Sequence, residues 1–284
     1  MKRSIIYLLA LALQLFCTTN AQAIDLPQHA PVPGGIALIS LPDSPAVPAV
    51  YYRKKRVMVV KQDDQWLAVV GIPLAAKAGN ATLAYKDSQG KQQKINFTVE
   101  DKAYESQYIT LKNKRMVNPE KRDMTRIGQE QKRIRKAFSN WDEASPHSVR
   151  MILPVTAPVS SPFGLRRFFN KQPRKPHSGL DLAAAEGTPI LAPTEGKVTE
   201  TGDFFFNGNT VFIDHGQGLV TMYCHMSRIE VKPGQSVKTG DVIGAVGKTG
   251  RVTGAHLHWS ISLNNTRIDP TLFLDTTDST KASP

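Results

Sequence analysis

Residues 254–262 read GAHLHWSIS. Apolar and polar residues alternate along this run, which is the pattern of a half-buried strand. Leu257, Trp259 and Ile261 share one face, while His256, His258 and Ser260 share the other. The apolar face has a core to go to. Two imidazoles contribute little to packing, so the face carrying them needs hydrogen-bond or metal partners once covered.

A second group of potential ligands stands upstream in PHSGLDLAA, residues 176–184. His177 and Asp181 are four apart, an even spacing that puts both side chains on one side of an extended segment. Two imidazoles and one carboxylate form a donor set suited to zinc, with the fourth tetrahedral position left for water or substrate. Either fragment alone is weak, because His-x-x-x-Asp is commonly a surface pair and His-x-His on a strand is commonly structural. Their joint presence in one compact domain, with YCHM (223–226) between them, strengthens the case for a metal.

The surrounding sequence is β-rich. Strand patterns recur in TPILAPTEGKVTET (188–201), NTVFIDHG (209–216), GLVTMYCHM (218–226) and HLHWSISL (256–263), and turns are marked at Asn207-Gly208 and Pro233-Gly234. These runs define a C-terminal antiparallel β domain over residues 149–274, followed by a flexible tail at 275–284. Cys224 falls on the face opposite His225 if its strand is regular, and reads as a core residue. His215, in IDHGQG, reads as a structural turn residue.

Two other regions precede this domain. Residues 24–111 contain the short runs GIALISL, KRVMVV, QWLAVVGI, NATLAY and KINFTVE, punctuated by Gly, Pro, Asp and Asn, which predict a small β-sandwich with nothing catalytic in it. Residues 118–141 predict a basic amphipathic helix, with Asn118 as cap, Pro119 at the first helical position, and Met124, Ile127, Ile134, Phe138 and Trp141 on one stripe. Its other face carries Arg122, Lys132, Arg133 and Lys136, a solvated surface or one that meets an anionic wall. A linker at 142–148 joins the helix to the last domain. The class is therefore mostly β, with one helix between two β domains.

The N-terminus has a basic start at Lys2 and Arg3, an apolar run from Ile5 to Phe16, and an Ala21-Gln22-Ala23 site. It reads as a signal peptide over residues 1–23, and so predicts an exported protein, periplasmic or associated with the cell envelope. No later stretch is apolar for long enough to predict a stable membrane span. Cleavage would leave Cys224 as the single cysteine, so burial rather than an intrachain disulfide must hold the fold. The formal net charge of +12 favours an anionic partner. With no nucleic-acid motif in an exported chain, cell-wall polymer is a better partner than nucleic acid.

The residues of the last domain resemble the lysostaphin-type or LytM-type zinc metallopeptidases, which cut peptide bridges in bacterial cell walls. The resemblance runs from SSPFGLRR through HSGLDLAA, GNTVFIDHGQGLVTMYCHMS and GQSVKTGDVIGAVGKTGRVTGAHLHW to RIDP. It implies one zinc ion held by His177, Asp181 and His258, with His225 and His256 beside the open position as proton acceptor and oxyanion partner. The division of those two roles stays open. It also implies an endopeptidase acting on the peptide stems of peptidoglycan, with the D-alanine to diaminopimelate crosslink as its natural target in a Gram-negative wall; a monomer is expected. The region before it is similar to the accessory part of Gram-negative exported members. Arg166 and Arg167 are candidates to line the cleft and meet a substrate carboxylate. A catalytically inactive wall-binding protein or amidase activator on the same fold is the alternative, but such relatives typically lose metal ligands. GQSVKTGDVIGAVG also resembles part of a biotinyl or lipoyl carrier, which would explain none of the histidines.

Overall fold

The computed structural model describes residues 25–274, apart from 88, 145 and 147. The segments read as signal peptide and tail, and His147, lie outside the described residues.

The N-terminal region consists of two small sheets. One has the strand order Ile36–Ser40, Gln65–Gly71, Met58–Gln62, and the other the order Lys55–Arg56, Val50–Tyr52, Gly79–Lys86, Gln92–Val99. Ala37, Val59, Ala68 and Val70 of the first sheet pack against Val50, Leu83 and Phe97 of the second. Its other face is covered as well. Ile36, Met58, Val60 and Val69 join the core of the C-terminal region, with Leu263 and Ile268 among the residues there. Burial on both faces accounts for the unbroken apolar runs at 57–60 and 67–70, where a sheet with one wet face would alternate.

The C-terminal region is built on an eight-stranded sheet. Its order is Ser236–Val237, Gly196–Phe204, Gly208–Asp214, Val220–Met226, Leu257–Leu263, Leu180–Leu182, Val159–Ser161, with Thr266–Ile268 also pairing with Leu257–Leu263. Every pairing in this sheet is antiparallel. Leu257, Trp259, Ile261 and Leu263 all enter the main core, which leaves His258, Ser260 and Ser262 on the outer face. One end of that outer face is closed by the helix Lys121–Phe138, whose Ile134, Ala137 and Phe138 pack on Phe204, Phe212, Val220, Met222 and Cys224. The other end is open, and carries the histidines.

The helix departs from expectation at its start. It begins at Lys121, after a separate short helix Lys114–Val117, and Glu120 is its N-cap, with the Asp123 carboxylate accepting from the Glu120 N–H at 3.0 Å. Met124 is 55% exposed, because the buried stripe of the helix runs through Asp123, Ile127, Glu130 and Ala137 and leaves Met124 on its flank. Arg133, expected on a solvated face, donates to the Glu200 carboxylate at 2.8 Å on the neighbouring strand.

The two regions are tied by side-chain amides as well as by apolar contact. Asn264 and Asn265 form the two-residue turn between Leu257–Leu263 and Thr266–Ile268, both at positive φ, as a tight hairpin requires. The Asn264 amide accepts from Gly71 N–H at 2.7 Å and donates to Gly71 C=O at 3.1 Å, pairing the end of the central strand of the N-terminal sheet. Asn264→Gly keeps the turn but leaves both buried groups of Gly71 unpaired, which costs about 1–3 kcal/mol. The urea midpoint should fall accordingly, and an unchanged midpoint would show that the contact stabilises nothing.

Candidate metal centre

Asp181 and His258 are direct cross-strand partners. Their neighbours Leu180, Leu182, Leu257 and Trp259 are fully buried in the core, and this forces both polar side chains outward. His177 lies in the approach to the strand, where its N–H donates to Leu165 C=O at 2.8 Å and its C=O accepts from Gly164 at 2.9 Å. Gly179 allows this close approach. A Cβ there would stand 2.4 Å from the Trp259 carbonyl oxygen and 2.7 Å from the His258 ring.

Three ligand atoms converge at this point. His177 Nε2 is 2.9 Å from Asp181 Oδ1, His258 Nδ1 is 2.7 Å from the same oxygen, and the two ring nitrogens are 3.0 Å apart. The Pro162 carbonyl lies 2.7 Å from His177 Nδ1 and can only accept, so Nδ1 carries the proton and Nε2 presents a lone pair. The second carboxylate oxygen of Asp181 accepts from Arg167 at 2.7 Å. Burial would push the Asp181 carboxyl up, but the neighbouring imidazoles hold it well below the usual carboxylate range. Burial lowers His258 to about 4 against the pull of Asp181. The result is a carboxylate oxygen and two ring nitrogens facing one another, an arrangement a cation would satisfy. Tetrahedral zinc with bonds near 2.0–2.1 Å sets such donors about 3.4 Å apart, so this slightly tighter triangle fits zinc with a small opening.

His225 reaches the same cleft by a different device. In a regular strand, residues facing the same core are two apart. Tyr223 and Met226 both enter the main core at a spacing of three, and the register with Gly208–Asp214 shifts beside them. His225 is the extra residue, at φ +64, and the bulge swings its ring out of the core. Its Nδ1 donates to Thr249 C=O at 2.8 Å, which leaves Nε2 as an acceptor. Burial holds its pKa down to about 3, with His256 and His258 adding to the effect. The His256 ring is centred 4.9 Å from that of His225, its Nδ1 is 3.0 Å from Gly254 C=O, and its Nε2 is 4.0 Å from Asp181. Cys224 remains in the core, under the helix, and burial pushes its thiol up.

Two open cavities of about 340 and 410 Å³ flank this cluster, and His225, His258, Arg167, Phe169 and Arg251 line both. The strand Ser106–Ile109 forms part of the wall. It pairs in parallel with Arg166–Phe169, and Gln107 accepts from Arg167 at 3.1 Å while donating to Ser161 at 2.9 Å. The two arginines considered for a substrate carboxylate have other partners: Arg166 donates to Tyr104 C=O at 3.1 Å, and Arg167 holds Asp181. Arg251 and Gln107 escaped the sequence reading, because neither belongs to a strand pattern or to a histidine motif. His215 sits away from the cleft, with its ring nitrogens 2.6 Å from Glu195 C=O and 2.8 Å from the Thr221 hydroxyl. His29 is a distant residue that accepts from Leu38 N–H at 3.1 Å.

A His₂Asp cluster with two further imidazoles beside it is the arrangement of a metal centre with acid–base groups at hand. Residues 175–270 match the model of peptidase family M23, and residues 29–102 match the peptidase family M23 N-terminal domain. A crystal structure from Pseudomonas aeruginosa assigned to peptidase M23 is 42% identical with a TM-score of 0.73, covering 86% of this chain and 94% of that one. The chain belongs to peptidase family M23. The DD-carboxypeptidase/endopeptidase Mpg of Neisseria meningitidis is 41% identical over 112 residues, which is 39% of this chain and 26% of that protein. The peptidoglycan DD-endopeptidase ShyA of Vibrio cholerae is 44% identical over 123 residues, 43% of this chain and 25% of that protein. The aligned part is thus about a quarter of the length of these curated relatives.

Burial keeps His215 neutral in the folded protein down to about pH 4, whereas an unfolded imidazole takes up its proton near about pH 6.5. Between those values the unfolded chain binds more protons, so stability falls as the pH drops through the window. His215→Gln removes this contribution without touching the cleft. Its melting temperature should depend less steeply on pH between 6.5 and 4 than that of the wild type, and parallel curves would refute the assignment.

Proposed function

We propose that the protein is a zinc-dependent endopeptidase that hydrolyses peptide crosslinks of bacterial peptidoglycan in the cell envelope, at the D-alanine to diaminopimelate bond. His177, Asp181 and His258 hold the metal, and His225 and His256 handle protons and charge beside it. The observation that carries this reading is the convergence of three ligand atoms at 2.7–3.0 Å, with the paired rings of His225 and His256 4.9 Å apart alongside. The printed names of the Neisseria and Vibrio relatives support the substrate class. The signal-like residues 1–23 support export.

Zinc held by two neutral imidazoles and a carboxylate supplies a Lewis acid that polarises a carbonyl and brings the pKa of water towards neutrality. The chain's own groups prepare the remaining chemistry. Arg167 engages one oxygen of Asp181 and so turns the other towards the two imidazoles. The carbonyls of Pro162 and Thr249 fix which nitrogen of His177 and of His225 carries the proton. His225 is therefore held neutral with Nε2 able to accept a proton, and His256, on the same side of the cleft, is placed to stabilise the oxyanion or share the proton transfer. An inactive wall-binding role has less support, because the full donor set is present and close-packed.

Digestion of purified muropeptides tests the reaction class, with conversion of crosslinked dimers into monomers as the expected result. Cleavage of pentaglycine in place of the dimers would overturn the proposed bond. The residue roles separate by metal content. His258→Ala should lose both bound zinc and activity. His256→Ala and His225→Ala should keep zinc while kcat falls by about 10²- to 10⁴-fold. The assignment fails if His256→Ala loses its zinc while His258→Ala retains it.

A further inference from the structure

Arg251 is a cation in the wall of the cleft with no anion to meet. Its backbone N–H is anchored on Phe206 C=O at 2.8 Å, so the side chain starts from a fixed point. Its guanidinium lies over two aromatic faces, 4.4 Å from the centre of Phe206 and 4.8 Å from that of Phe169. The polar contact it makes within the protein is a long one, 3.5 Å to Met116 C=O. No carboxylate pairs with it among the described residues. Partial burial lowers its pKa to about 10, and Arg167 and Arg174 push it further in the same direction. It stays charged at neutral pH, in a place where charge is poorly compensated.

Its neighbours make the imbalance specific. The residues lining the two cavities include the cations Arg167, Arg174, Lys175 and Arg251 against one acidic residue, Asp181. Asp181 is committed to Arg167 and the imidazoles. Arg174 is satisfied by neutral acceptors, Val117 C=O at 2.9 Å and Gln172 at 2.8 Å among them. Arg251, without such partners, lines the space that both cavities share with His225 and His258. A divalent cation at His177, Asp181 and His258 would make this region more electropositive still, which focuses anions into it.

We infer that Arg251 receives a carboxylate of the substrate, carried on the residue next to the scissile bond, and thereby selects acidic crosslinks over neutral ones. The inference rests on the endopeptidase reading above and deepens it. In a crosslink made through the side-chain amine of diaminopimelate, the carbon bearing that amine also bears a carboxylate, so the anion stands beside the bond to be cut. A planar guanidinium held between two rings can meet it with two parallel hydrogen bonds, which a lysine cannot do. A neutral glycine bridge offers nothing at this position.

The test compares a crosslinked dimer whose carboxylate at this centre is free with the same dimer amidated there, for the full-length protein, Arg251→Gln and Arg251→Lys, with zinc content measured for each. The wild type should prefer the free acid in kcat/KM by about 10- to 100-fold, the range expected for a charge-assisted hydrogen bond. Arg251→Gln should abolish that preference, mainly through KM on the free acid, while hydrolysis of the amidated dimer stays within about threefold. Arg251→Lys should restore part of the preference, and it serves as the test if Arg251→Gln does not fold. The dissociation constant of the free-acid cleavage product, measured by calorimetry, should weaken in parallel. Equal losses on both dimers would mean that Arg251 only spaces Phe169 and Phe206, and would overturn the inference. Dimers cleaved by the wild type without preference would overturn it too while leaving the endopeptidase reading intact. Failure to cleave either dimer would overturn that reading, and this inference with it.

Discussion

The cross-strand pairing of Asp181 with His258 is the constraint on which the site depends. A carboxylate with little exposure is costly unless it is met by cations, donors or a metal. Here the backbone ladder sets the pair in register, the leucines and tryptophan on either side anchor the strands in the core, and the outward residues have no freedom to separate. His177 then completes the triangle from a segment pinned to Gly164 and Leu165, and Arg167 takes the oxygen left over. Each further feature of the cleft is arranged around this buried charge, including the strand Ser106–Ile109 that steadies Arg167 through Gln107.

The N-terminal region is part of the same physical object as the cleft. Its first sheet lends Ile36, Met58, Val60 and Val69 to the main core, and its outgoing segment supplies Gln107, Ile109 and Leu111 to the wall of one cavity. An accessory region that merely sat beside the site would need a polar face there, and the apolar runs of these strands show that it has none. The wall it builds leaves two open cavities flanking the His177, Asp181 and His258 cluster, so it shapes the cleft itself.

Charge divides the molecule in a way that total composition hides. On the helix, Arg126 pairs with Glu130 and Asp203, and Arg133 with Glu200. Arg167 and Arg174 are likewise engaged. Within the cleft, Arg251 differs from them, since it lies over the rings of Phe169 and Phe206 with no carboxylate partner among the described residues.

Alternation by itself determined the β class, the inward face of HLHWSISL, and the sharing of one face by His256 and His258, because a strand's period of two is a local property of the backbone. The even spacing of His177 and Asp181 assumed an extended segment, in which four residues span about 13 Å; the bend at Gly179, before the strand Leu180–Leu182, is what brings the two side chains to 2.9 Å. Other features were decided by tertiary structure alone. The bulge that turns His225 from the core to the cleft is set by register against another strand, and periodicity along one strand predicts the opposite orientation. The exposure of Met124 depends on which side of the helix meets the sheet, a stripe through Asp123, Ile127 and Glu130 that leaves Met124 on its flank. The roles of Gln107, Arg167 and Arg251 arise where a linker, a hairpin and a loop meet, through contacts between residues as far as 60 apart in sequence for Arg167 and Gln107. Sequence records what each residue can do at short range, and only the closed fold decides which distant groups stand opposite it.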